Sequence, residues 1–170
     1  MHVASEGSPL FVGERLLLSN RTPTKPSELW STDGTRVGFV GGGGKVQFVR
    51  LRRDGEVILA GTDHGHTFWR TDTGERLGDC TAPGLLEDQA WLDDDTVVRL
   101  KRAHGQVDLE AFHWRSCESV ALDLPVVPPE VGNVAGALLQ RPHASGFALA
   151  LPQHPVLFDP LRGTIALPGE

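Results

Sequence analysis

Apolar residues in this chain come in short runs that alternate with polar ones and stop at turn residues. The clearest example begins at Val46, where Val46, Phe48 and Val49 lead through Leu51 to Asp54-Gly55, after which Glu56 to Ala60 is rich in β-branched and large apolar side chains. Asp-Gly between two such runs is a strong hairpin signal, because both residues accept the positive φ of a tight reversal. The same device recurs at Asp33-Gly34 and Thr73-Gly74. Prolines stand between the runs, where a missing backbone donor does little harm to a ladder. No stretch sustains a 3.6-residue apolar period, so the pattern predicts strands joined by hairpins and almost no helix.

The runs also repeat on a larger scale. Trp30, Trp69, Trp114 and Phe158 each follow an apolar run and precede a turn, at intervals of 39, 45 and 44 residues. Laid over one another, the four segments each offer four candidate strands, a to d, with the aromatic on c. A period of this size with several short strands per unit is the pattern of β-propeller blades. The expected fold is therefore all-β, a single domain of four four-stranded antiparallel blades at approximately residues 8–41, 45–82, 86–127 and 131–168.

Residues 46–77 resemble a WD40 repeat: an apolar strand, the Asp54-Gly55 turn, a small-residue strand, an Asp-bearing turn and a c-strand Trp. The resemblance implies that Asp63 and Trp69 belong to a structural hydrogen-bond network that stiffens the blade. The Gly-His dipeptide usual before strand a is missing from every unit, and an acidic residue directly after the aromatic survives only as Asp159. The other three units resemble the family through spacing and pattern. Thr71-Asp72-Thr73-Gly74 suggests a pyrroloquinoline-quinone-type propeller repeat as the alternative relative.

Propellers of this family usually close with about seven blades, and rings of roughly four to eight are known. Four units leave three expectations open: a four-bladed ring, two chains completing one another, or a portion of a longer propeller. The first unit begins its strand a at Pro9 to Val12 and the last ends on strand d at Thr164 to Leu167, so no exchanged strand locks a seam, and His2 to Ala4 is too short to supply one. Exposed terminal strands invite pairing, which makes a homodimer or association with further blades an expected property.

Composition narrows the class. With 39% hydrophobic and 22% charged residues over 170 positions, the chain has room for one sizeable core. No apolar stretch approaches the roughly 20 residues of a membrane span, and the N-terminus has no signal-peptide pattern. A cytoplasmic location is expected. A net charge of -6 disfavours nucleic acid as a partner. Cys80 and Cys117 occupy different repeat positions and are expected as two free thiols rather than as a disulfide between neighbouring blades. Scarce Lys, Ile and Asn beside abundant Arg, Gly, Ala, Leu and Val suggest a high-GC bacterial gene.

Few residues suggest chemistry. Gly41 to Gly44 with Lys45 lacks the spacing, the Ser or Thr and the helix of a phosphate loop, and reads as a connector. His64, His66, His104 and His154 fall in b-to-c turns, which lie on one face of a propeller, so they are candidate zinc ligands at the channel mouth. The plain alternative is that His64-Gly65 and His104-Gly105 are turn dipeptides. Asp93, Asp94 and Asp95, with Glu87 and Asp88 before them, lack the register of a calcium loop and read as a solvated turn. Trp91 lies outside the aromatic register, on strand a, and is expected in the core. No nucleophile elbow or local pairing of Ser with His and Asp is present.

Two functions follow from different classes. One is a non-catalytic scaffold, with no cofactor, whose loops hold a protein or peptide partner on a rigid frame, a role the WD40 resemblance also implies. The other is a small-ligand or metal-binding propeller, with enzymatic chemistry as an extension, built on the histidine-bearing turns.

Overall fold

A computed structural model of the protein describes residues 9–12, 15–18, 27–40, 46, 48–62, 65–81, 85–103, 106–122, 138–140, 146–149, 156–159 and 163–166. They form four antiparallel sheets of four strands, in each of which consecutive strands are neighbours. The first sheet holds β1 (Pro9–Val12), β2 (Arg15–Leu18), β3 (Ser27–Ser31) and β4 (Arg36–Val40). The second holds β5 (Phe48–Leu51), β6 (Val57–Thr62), β7 (Gly65–Arg70) and β8 (Arg76–Thr81). The third holds β9 (Leu85–Trp91), β10 (Thr96–Ala103), β11 (Gln106–His113) and β12 (Ser119–Val120). The fourth holds β13 (Leu138–Gln140), β14 (Phe147–Leu149), β15 (Val156–Asp159) and β16 (Gly163–Ala166). No helix occurs among the described residues.

Turn chemistry explains the hairpins. Gly34, Gly55 and Gly74 take positive φ values of 85°, 78° and 68°, and the amide of each donates back to the residue that opens its turn, Ser31, Arg52 and Arg70. Strand boundaries differ slightly from expectation. The second strand of the second sheet starts at Val57 because the Glu56 amide is occupied by Asp54 Oδ1 in the turn, and the last strand is Gly163–Ala166.

The chain divides into two compact units, Met1–Thr81 and Ala82–Glu170. In the first unit, Leu29 of the first sheet packs with Val49, Ile58, Ala60 and Trp69 of the second. Close approach of the two sheets is marked by Gly38, where an added Cβ would lie 2.8 Å from Gly74 Cα and 2.8 Å from Thr73 O. In the second unit, Ala90, Val98, Leu100 and Ala111 of the third sheet pack against Leu138, Phe147, Leu149 and Phe158 of the fourth. Phe147 and Phe158 stack there at 5.3 Å.

A buried carboxylate also fastens the second unit. Asp88, only 1% exposed, accepts the Gln89 amide on Oδ1 and the Leu138 amide on Oδ2, both at 2.8 Å, and so ties β9 to β13. Asp88 is therefore part of the interior, not of a solvated turn. Its carboxylate satisfies two backbone donors that burial would otherwise strand.

The turn hydrogen bonds also set the phase of the repeat. Ser31, Arg70 and His113 each donate an amide to the far side of the c-to-d turn, at Thr35, Glu75 and Glu118, and each accepts the amide of an inner turn residue, Gly34, Gly74 and Cys117. The residues just before them, Trp30, Trp69 and Phe112, are thus equivalent. Phe158, which precedes the Asp159↔Gly163 turn pair, holds the same place in the fourth sheet. Trp114 does not share this register: it lies two residues past Phe112, beyond the end of β11. Cys117 occupies the glycine position of its turn and adopts φ 61°, the one positive φ of a non-glycine residue among those described.

Candidate interaction surface

The a-to-b and c-to-d turns of one sheet lie at the same end of it, and in the second and third sheets both turns of the pair are described. In the second sheet the Arg52 guanidinium, 8% exposed, clamps Asp54 of its own turn with Nε at 3.0 Å from Oδ1 and Nη2 at 2.5 Å from Oδ2. Arg52 Nη2 also reaches Glu56 at 3.5 Å. Burial raises the Asp54 carboxyl, but the Arg52 hydrogen bond, the Glu56 amide and the Arg52 charge together hold it below its ordinary value. The neighbouring c-to-d turn is fixed by the Thr71 amide donating to Glu56 O at 2.9 Å, which leaves Asp72, Thr73 and Glu75 exposed.

The third sheet repeats the arrangement with other side chains. The Trp114 amide donates to Asp95 O at 3.2 Å, and its indole Nε1 to Asp94 O at 3.1 Å, joining the two turns. Trp114 is 6% exposed and meets Trp91 edge to face at 6.2 Å. Arg115 lies over the Trp114 ring at 4.4 Å and pairs with Asp95 at 2.7 Å, so a cation–π contact and an ion pair hold one exposed guanidinium. Within the acidic run, Asp93 Oδ1 accepts the amides of Asp95 and Thr96, while Asp94 and Asp95 are exposed. Trp91 is 1% exposed and belongs to the interior.

Away from the turns, the third sheet carries a charged row. Arg99, 9% exposed, sits opposite Glu110 in register and donates to it from Nε at 3.0 Å and Nη2 at 2.8 Å; Lys101 Nζ pairs with the other carboxylate oxygen. Burial raises Glu110, yet the hydrogen bonds from Lys101 and Arg99, with their charges, leave its carboxyl below the ordinary value. Arg99 also lies over Phe112 at 5.0 Å. This row holds β10 to β11.

The residues singled out from the sequence separate on this frame. Trp69 Nε1 donates to Thr67 Oγ1 at 2.9 Å, and that hydroxyl donates to Ala60 O at 3.4 Å. Trp30 repeats the device with a carboxylate, donating to Glu28 Oε2 at 3.1 Å. Asp63, the partner implied by the WD40 resemblance, lies outside the described residues, as do His64, His104, His154 and Gly41 to Gly44 with Lys45. His66 is described; it sits on β7, 1% exposed, rather than in an open turn. Among the described residues, no group of three or more His, Cys, Asp or Glu is placed to hold a metal ion. Neither cysteine is a free thiol, which corrects the expectation of two. The sequence reading missed Phe112, Asp88 and the Arg99–Lys101–Glu110 row. Alternation on β10 and β11 contained a signal for the row, since Arg99, Lys101 and Glu110 share a face.

No protein-family model matches the chain, and neither does any curated protein. Similarity to solved structures is extensive. The Cps50 (Swd1) β-propeller domain of Myceliophteria thermophila superposes with a TM-score of 0.70 at 10% identity, over 98% of this chain and 58% of that one. KlHsv2, with its loop 6CD replaced by a Gly-Ser linker, gives 0.64 at 14% identity over 95% and 57%. The WD40 repeats of RRP9 give 0.64 at 10% identity over 97% and 52%. The chain therefore spans little more than half of each of these structures. Its fold is that of divergent WD40-type β-propeller blades.

Proposed function

We propose that the chain is a non-catalytic scaffold that holds a protein or peptide partner against the paired-turn end of its sheets. The observation that carries this reading is the contrast between backbone and side chains at that end. The turn amides of Gly34, Gly55, Gly74 and Cys117 are all hydrogen-bonded within their turns, while Asp72, Glu75, Asp94, Arg115 and Glu118 are exposed. A fixed backbone that presents charged groups loses little conformational entropy on binding. The Arg115–Trp114 stack adds a pre-ordered guanidinium over an aromatic ring, both residue types that dominate binding energetics at protein interfaces.

Site-specific photo-crosslinking tests the reading. A photoreactive amino acid at Asp72 or Arg115 is expected to yield a discrete protein adduct in cells, whereas the same probe at exposed Asp108, far along β11 from the turn, yields none. Equal labelling from Asp108, or no protein adduct from either turn, contradicts the proposal.

A further inference from the structure

One polar side chain in the interior of the third sheet is not accounted for by the contacts above. Gln89 is 0% exposed, and neither its Nε2 nor its Oε1 has a hydrogen-bond partner among the described residues. A carboxamide buried in that way costs free energy until its donor and acceptor are matched. Gln89 lies on β9 directly opposite Arg99 of β10, and Arg99 lies directly opposite Glu110 of β11. Opposed residues of antiparallel strands put their side chains on one face, with Cβ atoms about 4.5 to 5.5 Å apart. The three therefore form one cross-strand row, alternating with Ala90, Val98 and Ala111, which face the fourth sheet. Arg99 directs Nε and Nη2 to Glu110, while its Nη1 donors meet no acceptor among the described residues. No direct hydrogen bond joins the carboxamide to the guanidinium. Polar groups that face one another in an interior without touching are joined by ordered water.

We infer that this row is a binding site for internal water, which bridges the Gln89 carboxamide to the Arg99 guanidinium. The occupant follows from burial and from the groups it meets. A molecule held beside a side chain that is sealed from solvent is small, and one placed between a carbonyl oxygen and a cationic donor must both give and take hydrogen bonds. Water does both, whereas an anion only accepts and leaves Oε1 unmatched. At the bridge, water accepts an Nη1 N–H of Arg99 and donates to Gln89 Oε1, and water is equally an acceptor for Nε2. The row then becomes a continuous hydrogen-bonded chain across β9, β10 and β11, from Gln89 through Arg99 to Glu110, whose other oxygen pairs with Lys101. A polar network completed in this way fixes the side chains of all three strands.

A crystal structure of the full chain, at a resolution that shows ordered water, tests the site directly. An isolated density peak is expected within hydrogen-bond distance, about 2.7 to 3.2 Å, of both the Gln89 carboxamide and the Arg99 guanidinium. A carboxamide bonded directly to a protein group, one with no peak beside it, or a peak that touches Gln89 and not Arg99 overturns the inference. Gln89→Met supplies a second readout, because it removes both polar atoms at nearly constant volume and leaves the water and the Arg99 donors without that partner. A lower urea midpoint than wild type is expected. A midpoint equal to or above wild type is what removal of an unmatched carboxamide produces, and it also overturns the inference. Should the variant fail to fold, the wild-type density still decides. Gln89 and Arg99 are strand residues, apart from the turns used for crosslinking, so this result and the partner-binding reading stand or fall separately.

Discussion

Buried charge is concentrated at a few residues, and each is matched by its own donors or acceptors. Asp88 serves two backbone amides across two strands, so Asp88→Ala leaves two buried donors without an acceptor. The expected loss is about 2 to 5 kcal/mol, read as a lower urea midpoint; a variant as stable as wild type contradicts the clamp. Glu110 behaves differently because it titrates. Its folded-state value lies below the ordinary 4.5, so its contribution is complete above that pH and disappears as pH falls through the folded value. Urea midpoints of wild type and Glu110→Gln are therefore expected to differ near neutrality and to converge only as the pH falls through that lowered folded-state value. A difference that stays constant into acid assigns the effect to packing rather than to the ion pairs.

At the scale of the element, the hairpin is the repeating device and glycine its limiting residue. Gly38 on β4 faces the backbone of the Thr73–Gly74 turn, which cannot move aside as a side chain would. Gly38→Ala is expected to destabilise by about 1 to 3 kcal/mol in thermal or urea unfolding, while Gly78→Ala on β8, where an added Cβ meets nothing within 4 Å, is expected to be nearly neutral. Equal effects of the two contradict the close approach of the first two sheets. The hairpins opened by Asp33-Gly34, Asp54-Gly55 and Thr73-Gly74 were legible in the sequence because their φ requirement restricts residue type. The third c-to-d turn was not, since Cys117 stands where the other two have glycine. Without that marker, the conspicuous Trp114 displaced Phe112 from the aromatic register by two residues. Asp88 was hidden for a related reason: next to Asp93, Asp94 and Asp95, its composition reads as solvent-exposed, and only the approach of β13 reveals two amides that need an acceptor.

For the whole molecule, each unit pairs two sheets through a core of the same construction, with an aromatic from the later sheet set among aliphatic residues of the earlier one. That repetition allows the turns to differ in side chains, from Arg52–Asp54 in the second sheet to Arg115–Asp95 in the third, while the c-to-d turns of the first three sheets are each closed by the same pair of backbone hydrogen bonds. Fixed presentation of those side chains requires exposed turns as rigid as the strands they join. Residue-resolved amide hydrogen exchange on the purified chain measures this directly. The amides of Gly34, Gly74 and Cys117, which donate to Ser31 O, Arg70 O and His113 O, are predicted to be protected together with the adjoining strand amides of Trp30, Trp69 and Phe112. Exchange of the three turn amides at the rate of an unstructured peptide, with the strands protected, contradicts the rigid presentation on which the proposed scaffold rests.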